Sequence, residues 1–365
     1  MKREEALQHF MDECVSVHIS RLQQKVDRQF RQEKEILLKP IIHSLEQLFA
    51  NIREQQGQGR LAPVAFIHFS LLRTSLLDNK CTYLLEAYGE KWYYDWGECT
   101  AQYEARWLSE AIIDLHTTLE KERKPYLYIQ AADVRGIIQQ TVILFHQYII
   151  QLVRYLFRYQ QDSVSEIDFQ RAAYLRFRVG EYKGFSEDVG VIDDRERVEQ
   201  NLLSWLEKNE TDKSYTFENF SSLPLQQKYF DQMDFSYANF NGSDLEGASL
   251  KQSVCIGTSF VDCSLANVDF SYATIQDADF RNANLAGANF THAQGKTMML
   301  PDDEVACYLG TDFSHANLEN AKFEFAQIAG ANFTGANLKG ATFFKRDQEK
   351  CQFSPDQIKD IHWIH

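Results

Sequence analysis

Residues 230–290 read FDQMDFSYANFNGSDLEGASLKQSVCIGTSFVDCSLANVDFSYATIQDADFRNANLAGANF and repeat with a period of five. Every fifth residue from Phe230 to Phe290 is Phe, Leu or Ile, with Cys255 as the exception. The residue two positions before each of these is small in most units, and the residue between them is often Asp or Asn. After a break the pattern resumes at Phe313 and continues to Phe343, so thirteen units precede the break and seven follow it.

A period of five fits neither an α-helix nor a flat strand, whose periods are 3.6 and 2 residues. It fits a chain that turns a corner every five residues and sends one large and one small residue inward on each side. Such a fixed period predicts a solenoid, in which each unit buries its apolar face against its neighbours. The predicted core includes Phe240, Leu245, Phe260, Leu265, Phe280, Leu285, Phe290, Phe313, Leu318, Phe333 and Leu338.

These units resemble the pentapeptide-repeat family, whose motif is A-(D/N)-(L/F)-x-x. The motif stands in this chain at 283–285, 288–290, 316–318, 331–333 and 336–338. The resemblance covers residues 215–345 and implies a right-handed, quadrilateral β-helix with four units per coil. Five coils at the usual strand spacing would stand about 24 Å tall.

The remaining sequence predicts an α+β, mainly helical, N-terminal domain of no recognised family over residues 1–200. The β-helix is expected over 201–345, with an inserted loop near 295–310, and a short capping helix within 346–365. The charged stretch 187–213 reads as a linker, and the N-terminal domain is expected to cover the first coil, because a solenoid needs its open ends covered.

Within the N-terminal domain, apolar spacings of three and four residues predict a helix over 2–33, and Pro40 is expected to separate it from a second helix. This pair forms either part of the domain core or a strip for self-association. Strands are predicted from Val64, from Thr82 and from Tyr174, and helices over 100–121 and 130–160.

Composition favours a soluble cytoplasmic protein. The net charge of −14 argues against direct binding of nucleic acid. Seven cysteines without a C-x-x-C pair indicate reduced thiols rather than a disulfide framework. The most apolar stretch, 141–159, contains His146, Arg154 and Arg158, and so argues against a membrane span.

No motif in the sequence predicts catalytic, metal or cofactor-binding residues, so the protein is expected to be non-enzymatic and free of cofactors. Cys14 and His18 are four residues apart on a helix, but a metal site needs three or four ligands. A ligand-binding or enzymatic N-terminal domain is the other possibility, since aromatic residues such as Tyr93, Trp96 and Trp107 cluster there.

The predicted function is that of a scaffold that binds a protein partner of unknown identity. The family resemblance implies an alternative, a DNA-mimicking modulator of a type II topoisomerase that inhibits gyrase or protects it from quinolones. Mimicry requires an ordered array of outward carboxylates in place of phosphates. The candidate partner-binding acids are Asp262, Asp277, Asp279, Asp302, Asp303 and Glu304. The repeat pattern places no more than two acids on any one side of the first block, a pattern that disfavours mimicry.

The C-terminus predicts either a cap or a surface for a homodimer. Phe325 and Phe344 occupy outward positions on the same side of adjacent coils. Ser354 and Pro355 form a helix N-terminus signal, and Ile358 and Ile361 follow on one helix face. This helix is expected to lie over the two phenylalanines.

Overall fold

The computed structural model describes residues 2–94, 99–160, 162–165, 167–208, 215–296, 309–351 and 353–365. It divides into two compact units. The first comprises Met1–Arg195, and the second comprises Glu196–Met299 and Tyr308–His365.

The first unit combines long helices with one five-stranded sheet. Its helices are α1 (Arg3–Phe10), α2 (Ser16–Gly57), α3 (Arg106–Glu122), α4 (Ala131–Tyr159) and α5 (Asp162–Ser165), and a π-helical turn, Met11–Val15, joins α1 to α2. Its strands are β1 (Val64–Leu71), β2 (Thr82–Tyr88), β3 (Thr100–Glu104), β4 (Arg171–Glu181) and β5 (Ser186–Asp193).

The strands stand in the order β3-β2-β1-β4-β5, and all neighbours are antiparallel except β1 and β4. Side chains alternate between the two faces of the sheet. One face carries Tyr83, whose hydroxyl lies 2.9 Å from His146 of α4, and Phe177, whose ring lies 4.7 Å from Phe157 of α4. This face therefore forms the core of the first unit against the helices.

Among the described helices, α4 is the one long and apolar enough to cross a membrane. However, 67% of its most apolar window is buried inside the protein, as expected of the core helix of a globular unit.

Three sequence predictions for this part of the chain were wrong. Pro40 does not interrupt the helix, because it lies on an exposed side of α2 where the carbonyl left without an N–H donor can be hydrated. Residues 100–104 form β3 and not the start of a helix. The stretch 187–213 contains most of β5 and the helix α6 (Glu199–Glu207), so it is not a plain linker.

The second unit is a repeat β-helix whose coils contain four five-residue units. Parallel bridges join residues twenty apart, as in Asn219 with Asn239 and Asn239 with Ser259. One residue in each unit from Phe217 to His292 has a positive φ near 60°, as the third residue of a type II turn requires. The chain thus turns at every unit and stacks each side on the side below.

The insertion enlarges one coil. Asp279 bridges to Asp312, a step of 33 residues in place of 20. The coil resumes at Thr311, whose Oγ1 donates to the carbonyl oxygen of Ile275 (2.8 Å) and also lies 3.1 Å from the carbonyl oxygen of Gly295. The inserted residues therefore lie between Gly295 and Thr311. Of this stretch, residues 297–308 lie outside the described residues.

Helix α6 covers the first coil. Leu206 is buried in the repeat core, and the Trp205 ring lies 4.8 Å from Tyr215 and 5.7 Å from Phe220. Helix α6 lies within the stretch predicted to be a linker, so its cover of the first coil was not predicted from the sequence.

The C-terminal segment follows the path of one more coil. A strand β6 (Thr342–Phe344) pairs in parallel with β7 (His362–Ile364), again twenty residues on. Between them the helix α7 (Pro355–Asp360) begins at Ser354, whose hydroxyl accepts from Gln357 N. Phe353 lies 5.1 Å from Phe333 and extends its aromatic column.

Gln357→Ala is expected to destabilise the repeat unit by about 1–3 kcal/mol. The buried Gln357 Nε2 donates to the carbonyl oxygens of Phe333 (2.7 Å) and Ala336 (3.0 Å), and its loss leaves both without this donor. Urea unfolding measures the change. Lys359→Ala on the exposed side of α7 is the matched control, and an equal effect of both variants would contradict this role for Gln357.

Candidate interaction surface

The interior of the repeat unit is filled by aromatic columns that run along its axis. One column stacks Phe260, Phe280, Phe313 and Phe333 at centroid distances of 5.0, 5.0 and 5.1 Å, with planes within 5° of parallel. These rings are 0% exposed. What the repeat unit offers to a ligand is therefore its outer surface.

Many of the outward acids are used by the fold itself. In unit after unit the Asp or Asn that precedes the central residue accepts, through Oδ1, from the backbone N–H two residues on. Examples are Asp234 to Ser236 N (3.0 Å), Asp269 to Ser271 N (2.9 Å) and Asp312 to Ser314 N (2.9 Å). Asp and Asn favour this local turn because their short side chains reach the backbone. Hence many of these carboxylates are held in place by backbone hydrogen bonds, while they keep their negative charge.

The six candidate partner-binding acids have different environments. Asp277 is 3% exposed and its Oδ1 accepts from Gly310 N at 2.8 Å, while Asp279 is 1% exposed and forms an ion pair with Arg281 at 2.8 Å. Asp262 is exposed at a corner with φ 58°. The other three, Asp302, Asp303 and Glu304, lie outside the described residues. The described members thus do not form an array of free carboxylates.

A set of aromatic side chains lines one corner of the coils and forms what we term the aromatic strip: Tyr272, His292, Phe325 and Phe344. Successive ring centroids are 4.6, 4.8 and 4.8 Å apart, and the first three rings are within 13° of parallel. Tyr272 and Phe325 are each 50% exposed. The sequence reading singled out Phe325 and Phe344 but missed Tyr272 and His292, although the spacing of twenty residues between these two could have revealed them.

The other two residues of the proposed C-terminal patch lie elsewhere. Ile361 is 5% exposed and belongs to the repeat core. Ile358 is half-buried, and its carbonyl oxygen accepts from Trp363 Nε1 at 3.0 Å. These contacts do not place either isoleucine over Phe325, so the predicted cover of the two phenylalanines stays a prediction.

The first unit contains a polar row across four strands: Glu86, His68, Arg178 and Asp188, on the face opposite α4. Ser70 Oγ donates to Glu86 Oε2 (2.6 Å) and lies 3.0 Å from His68 Nδ1. Since the Ser70 hydroxyl donates its hydrogen bond to the carboxylate, its oxygen accepts from His68 Nδ1. His68 Nε2 has no hydrogen-bond partner among the described residues. The sequence reading missed this row, although polar His68 and Ser70 alternate within an apolar strand.

Trp92 closes the polar row. Its ring lies 4.2 Å from Phe66 and 5.8 Å from His68, and the Arg178 guanidinium is 5.2 Å from its centroid. His68 and Ser70 are 0% exposed. The row is therefore a buried network in this structure and not an open site.

The remaining sequence candidates do not assemble into a site. Trp107 is buried in the core beside Tyr148, Trp96 lies outside the described residues, and the environment of the Tyr93 side chain is not described. Across the described ranges, no three His, Cys, Asp or Glu side chains could hold a metal ion, so the Cys14 and His18 pair gains no further ligand there. Burial raises the pKa of Cys255 and Cys263 to about 12, which disfavours the reactive thiolate.

Comparison with known proteins identifies the repeat. Residues 233–306 match the family model described as pentapeptide repeat region, and residues 310–343 match the model described as pentapeptide repeats (8 copies). No curated protein matches the sequence.

Several solved structures are similar to part of the chain. A trypsin-treated variant of QnrB1, a plasmid-mediated fluoroquinolone resistance protein, shares 19% identity over 38% of this chain and 66% of its own, with a TM-score of 0.29. Rfr23 from the cyanobacterium Cyanothece 51142 shares 19% over 46% of this chain and 100% of its own (TM-score 0.18). HetL from Nostoc sp. strain PCC 7120, involved in heterocyst differentiation regulation, shares 16% over 40% and 94% (TM-score 0.11).

Proposed function

Since residues 233–343 carry pentapeptide repeats, we propose that the second unit is a rigid, non-enzymatic scaffold that binds a protein partner in the cytoplasm. The observation that carries the proposal is the filled interior, whose stacked rings leave only the outer surface for recognition. A stack in which every coil is bridged to the next also holds its outward side chains at fixed spacing. Such pre-organisation lowers the entropic cost of binding.

Cross-linking of the tagged full chain in its native cell tests this proposal. The exposed lysines Lys251, Lys322 and Lys339 report on the repeat surface, and Lys25 and Lys121 on the first unit are the internal controls. We expect the repeat lysines to cross-link to one protein partner, at a constant ratio of that partner to the tagged chain. Cross-links confined to the control lysines would contradict a scaffold built on the repeat.

The second candidate function is topoisomerase binding by DNA mimicry, and the net charge of the chain, −14, is the observation that favours it. The burial of Asp277 and Asp279 speaks against it, because a phosphate mimic must meet the enzyme's basic groups directly. We expect the purified full chain neither to inhibit gyrase supercoiling nor to restore it in the presence of a fluoroquinolone. Inhibition or drug protection at micromolar protein would reverse the order of the two candidates.

The proposal extends to the finer architecture. We take the coils to be right-handed and quadrilateral, and α7 to close the last coil through Gln357. Nucleic acid and membrane are not proposed as direct ligands. A homodimer is compatible with the scaffold, and light scattering of the purified chain reports it.

A further inference from the structure

The aromatic strip occupies backbone positions that disfavour aromatic residues. Tyr272, His292 and Phe325 have φ of 60°, 60° and 59°. A bulky residue with positive φ is uncommon, and holding one there costs free energy that the surrounding fold must offset. Glycine and asparagine occupy such corners at lower cost, as Gly287 and Asn282 do elsewhere in this unit.

Another corner shows what a structural aromatic residue looks like at this position. Tyr237, with φ 61°, is half-buried, stacks on Phe217 at 4.9 Å and lies against Gly257. A Cβ at Gly257 would come within 2.4 Å of the Tyr237 ring, so the two residues are packed as a pair. The aromatic strip differs, because Tyr272 and Phe325 leave half of their surface in solvent.

The strip has defined ends and two charged neighbours, Arg346 and Glu324. On the N-terminal side its corner continues as Gln252 and Gln232, joined at 3.1 Å, and on the C-terminal side Arg346 lies 4.9 Å from the Phe344 centroid. Beside the strip, Glu324 accepts from Thr342 Oγ1 at 2.8 Å and from Thr291 Oγ1 at 3.4 Å. Two hydroxyls thus hold one carboxylate at the edge of an apolar surface.

We propose that the aromatic strip is the docking site for an extended segment of a partner protein that carries alternating apolar side chains and an arginine or lysine placed to meet Glu324. The inference deepens the proposed scaffold function and rests on it. Because the rings of Tyr272, His292 and Phe325 stack face to face, they present their edges outward as a narrow apolar ribbon, which the inclined ring of Phe344 ends. Three ring steps near 4.8 Å match roughly four residues of extended chain at about 3.3 Å each.

Charge selects the basic segment. The repeat sequence from 211 to 345 contains 16 acidic and 8 basic residues. Arg346 lies on Phe344 at the C-terminal end of the strip, so a basic residue of the partner is expected at Glu324 and away from that end. A carboxylate already oriented by hydrogen bonds loses little freedom when it meets a cation. Nucleic acid also stacks on aromatic rings, but its phosphates would meet this acidic surface unfavourably.

A random dodecapeptide phage library selected on the immobilised full chain tests the proposal. Counter-selection uses the double variant Tyr272→Asn/Phe325→Asn, and Tyr237→Asn at the other corner is the matched control. We expect enriched peptides that alternate apolar residues around one Arg or Lys. A synthetic consensus peptide should bind the double variant at least tenfold more weakly, and the Tyr237→Asn variant as tightly as the original chain. Glu324→Gln should remove the preference for the basic residue.

A stability measurement separates docking from a structural role. Asparagine tolerates positive φ, so the urea midpoint of the double variant should equal or exceed that of the original chain. A lower midpoint, or peptides that bind both chains equally, or no enriched peptide would overturn the docking role. If the cross-links from Lys251, Lys322 and Lys339 persist in the double variant, the scaffold function stands and the strip is not its docking site.

Discussion

Phe280→Ala is expected to lower the free energy of unfolding of the repeat unit by about 3–5 kcal/mol. The Phe280 ring is 0% exposed and contacts four other rings, at 5.0 Å from Phe260 and Phe313 and at 5.4 and 5.7 Å from Phe270 and Phe290. Alanine would remove the transfer free energy of the ring and leave a cavity between two coils that are held apart by their backbone bridges. The neighbouring rings cannot close such a cavity without breaking those bridges.

The position of the lost stability along the repeat is as informative as the change in the free energy of unfolding. Coils in a solenoid interact with their nearest neighbours, so the loss should be greatest where the stack is cut. Hydrogen exchange resolved by peptide measures it, and we expect faster exchange in the coils next to Phe280 than at Tyr215. Phe185→Ala, at an 81% exposed position of the first unit, is the matched control and should stay within about 0.5 kcal/mol. A uniform increase in hydrogen exchange across both units would contradict a repeat stabilised by contacts between neighbouring coils.

The repeat core could be predicted from sequence because its physics is local and periodic. A residue such as Leu285 is buried between its equivalents in the coils before and after it, Leu265 and Leu318, and its place in the phase of five identifies it without knowledge of any distant contact. The same phase assigns the preceding Asn284 to the surface, where it bonds to Asn317 of the next coil. Periodicity thus predicts both the core and its polar ladder.

Exceptions arise where a non-repeating segment meets the repeat. By phase, Asp277 should face water, yet it is buried and accepts from the backbone N–H of Gly310, the last residue of the insertion. No rule of five can predict this, because the insertion has its own sequence and breaks the phase. The cover by helix α6 was not predicted for a similar reason. The role of Trp205 and Leu206 depends on their packing against the rings of the first coil, which the short helix alone does not indicate.

In the first unit the sequence predicted elements better than their pairing. β1, β2 and α4 were anticipated from their apolar runs, whereas β3 is a five-residue strand with one buried side chain, Tyr103, and lacks such a run. The polar row was missed because its four members lie on four strands. Their proximity depends on the order and register of the strands, which cannot be predicted from a single sequence.

The first unit is expected to lose stability as the pH falls from about 6.5 to about 4, by about 3 kcal/mol for each of two histidines. Burial, and secondarily the charge of Arg178, lowers the pKa of His68 to about 4. Burial likewise lowers the pKa of His146 to about 4, although Glu181 acts in the opposite direction. Both rings are therefore neutral in the folded protein at neutral pH.

The sign follows from proton binding. An unfolded histidine has a pKa near 6.5, so between that pH and about 4 the unfolded chain binds protons that the folded chain refuses. The stabilisation is complete above pH 6.5 and declines as the pH falls through the folded pKa. The charged groups near the His68 ring are Arg178 on β4 and Glu86 on β2, which Ser70 links to the ring, and Trp92 lies 5.8 Å from it. Of these two charges, the carboxylate is the one that would stabilise an imidazolium.

Urea unfolding of the full chain between pH 7 and pH 4.5, with hydrogen exchange of β1 and α4 as the readout, measures this dependence. His68→Gln and His146→Gln should each flatten the pH profile by about one proton, whatever their effect on stability at pH 7, because each removes one titrating group. His43→Gln on the exposed surface of α2 is the matched control. The slope is the decisive quantity, since a variant that loses packing shifts the whole curve, whereas only the loss of a buried neutral imidazole changes its steepness. If either variant shifts the curve of unfolding free energy against pH without changing its slope, the replaced histidine takes up its proton in the folded protein as it does in the unfolded chain.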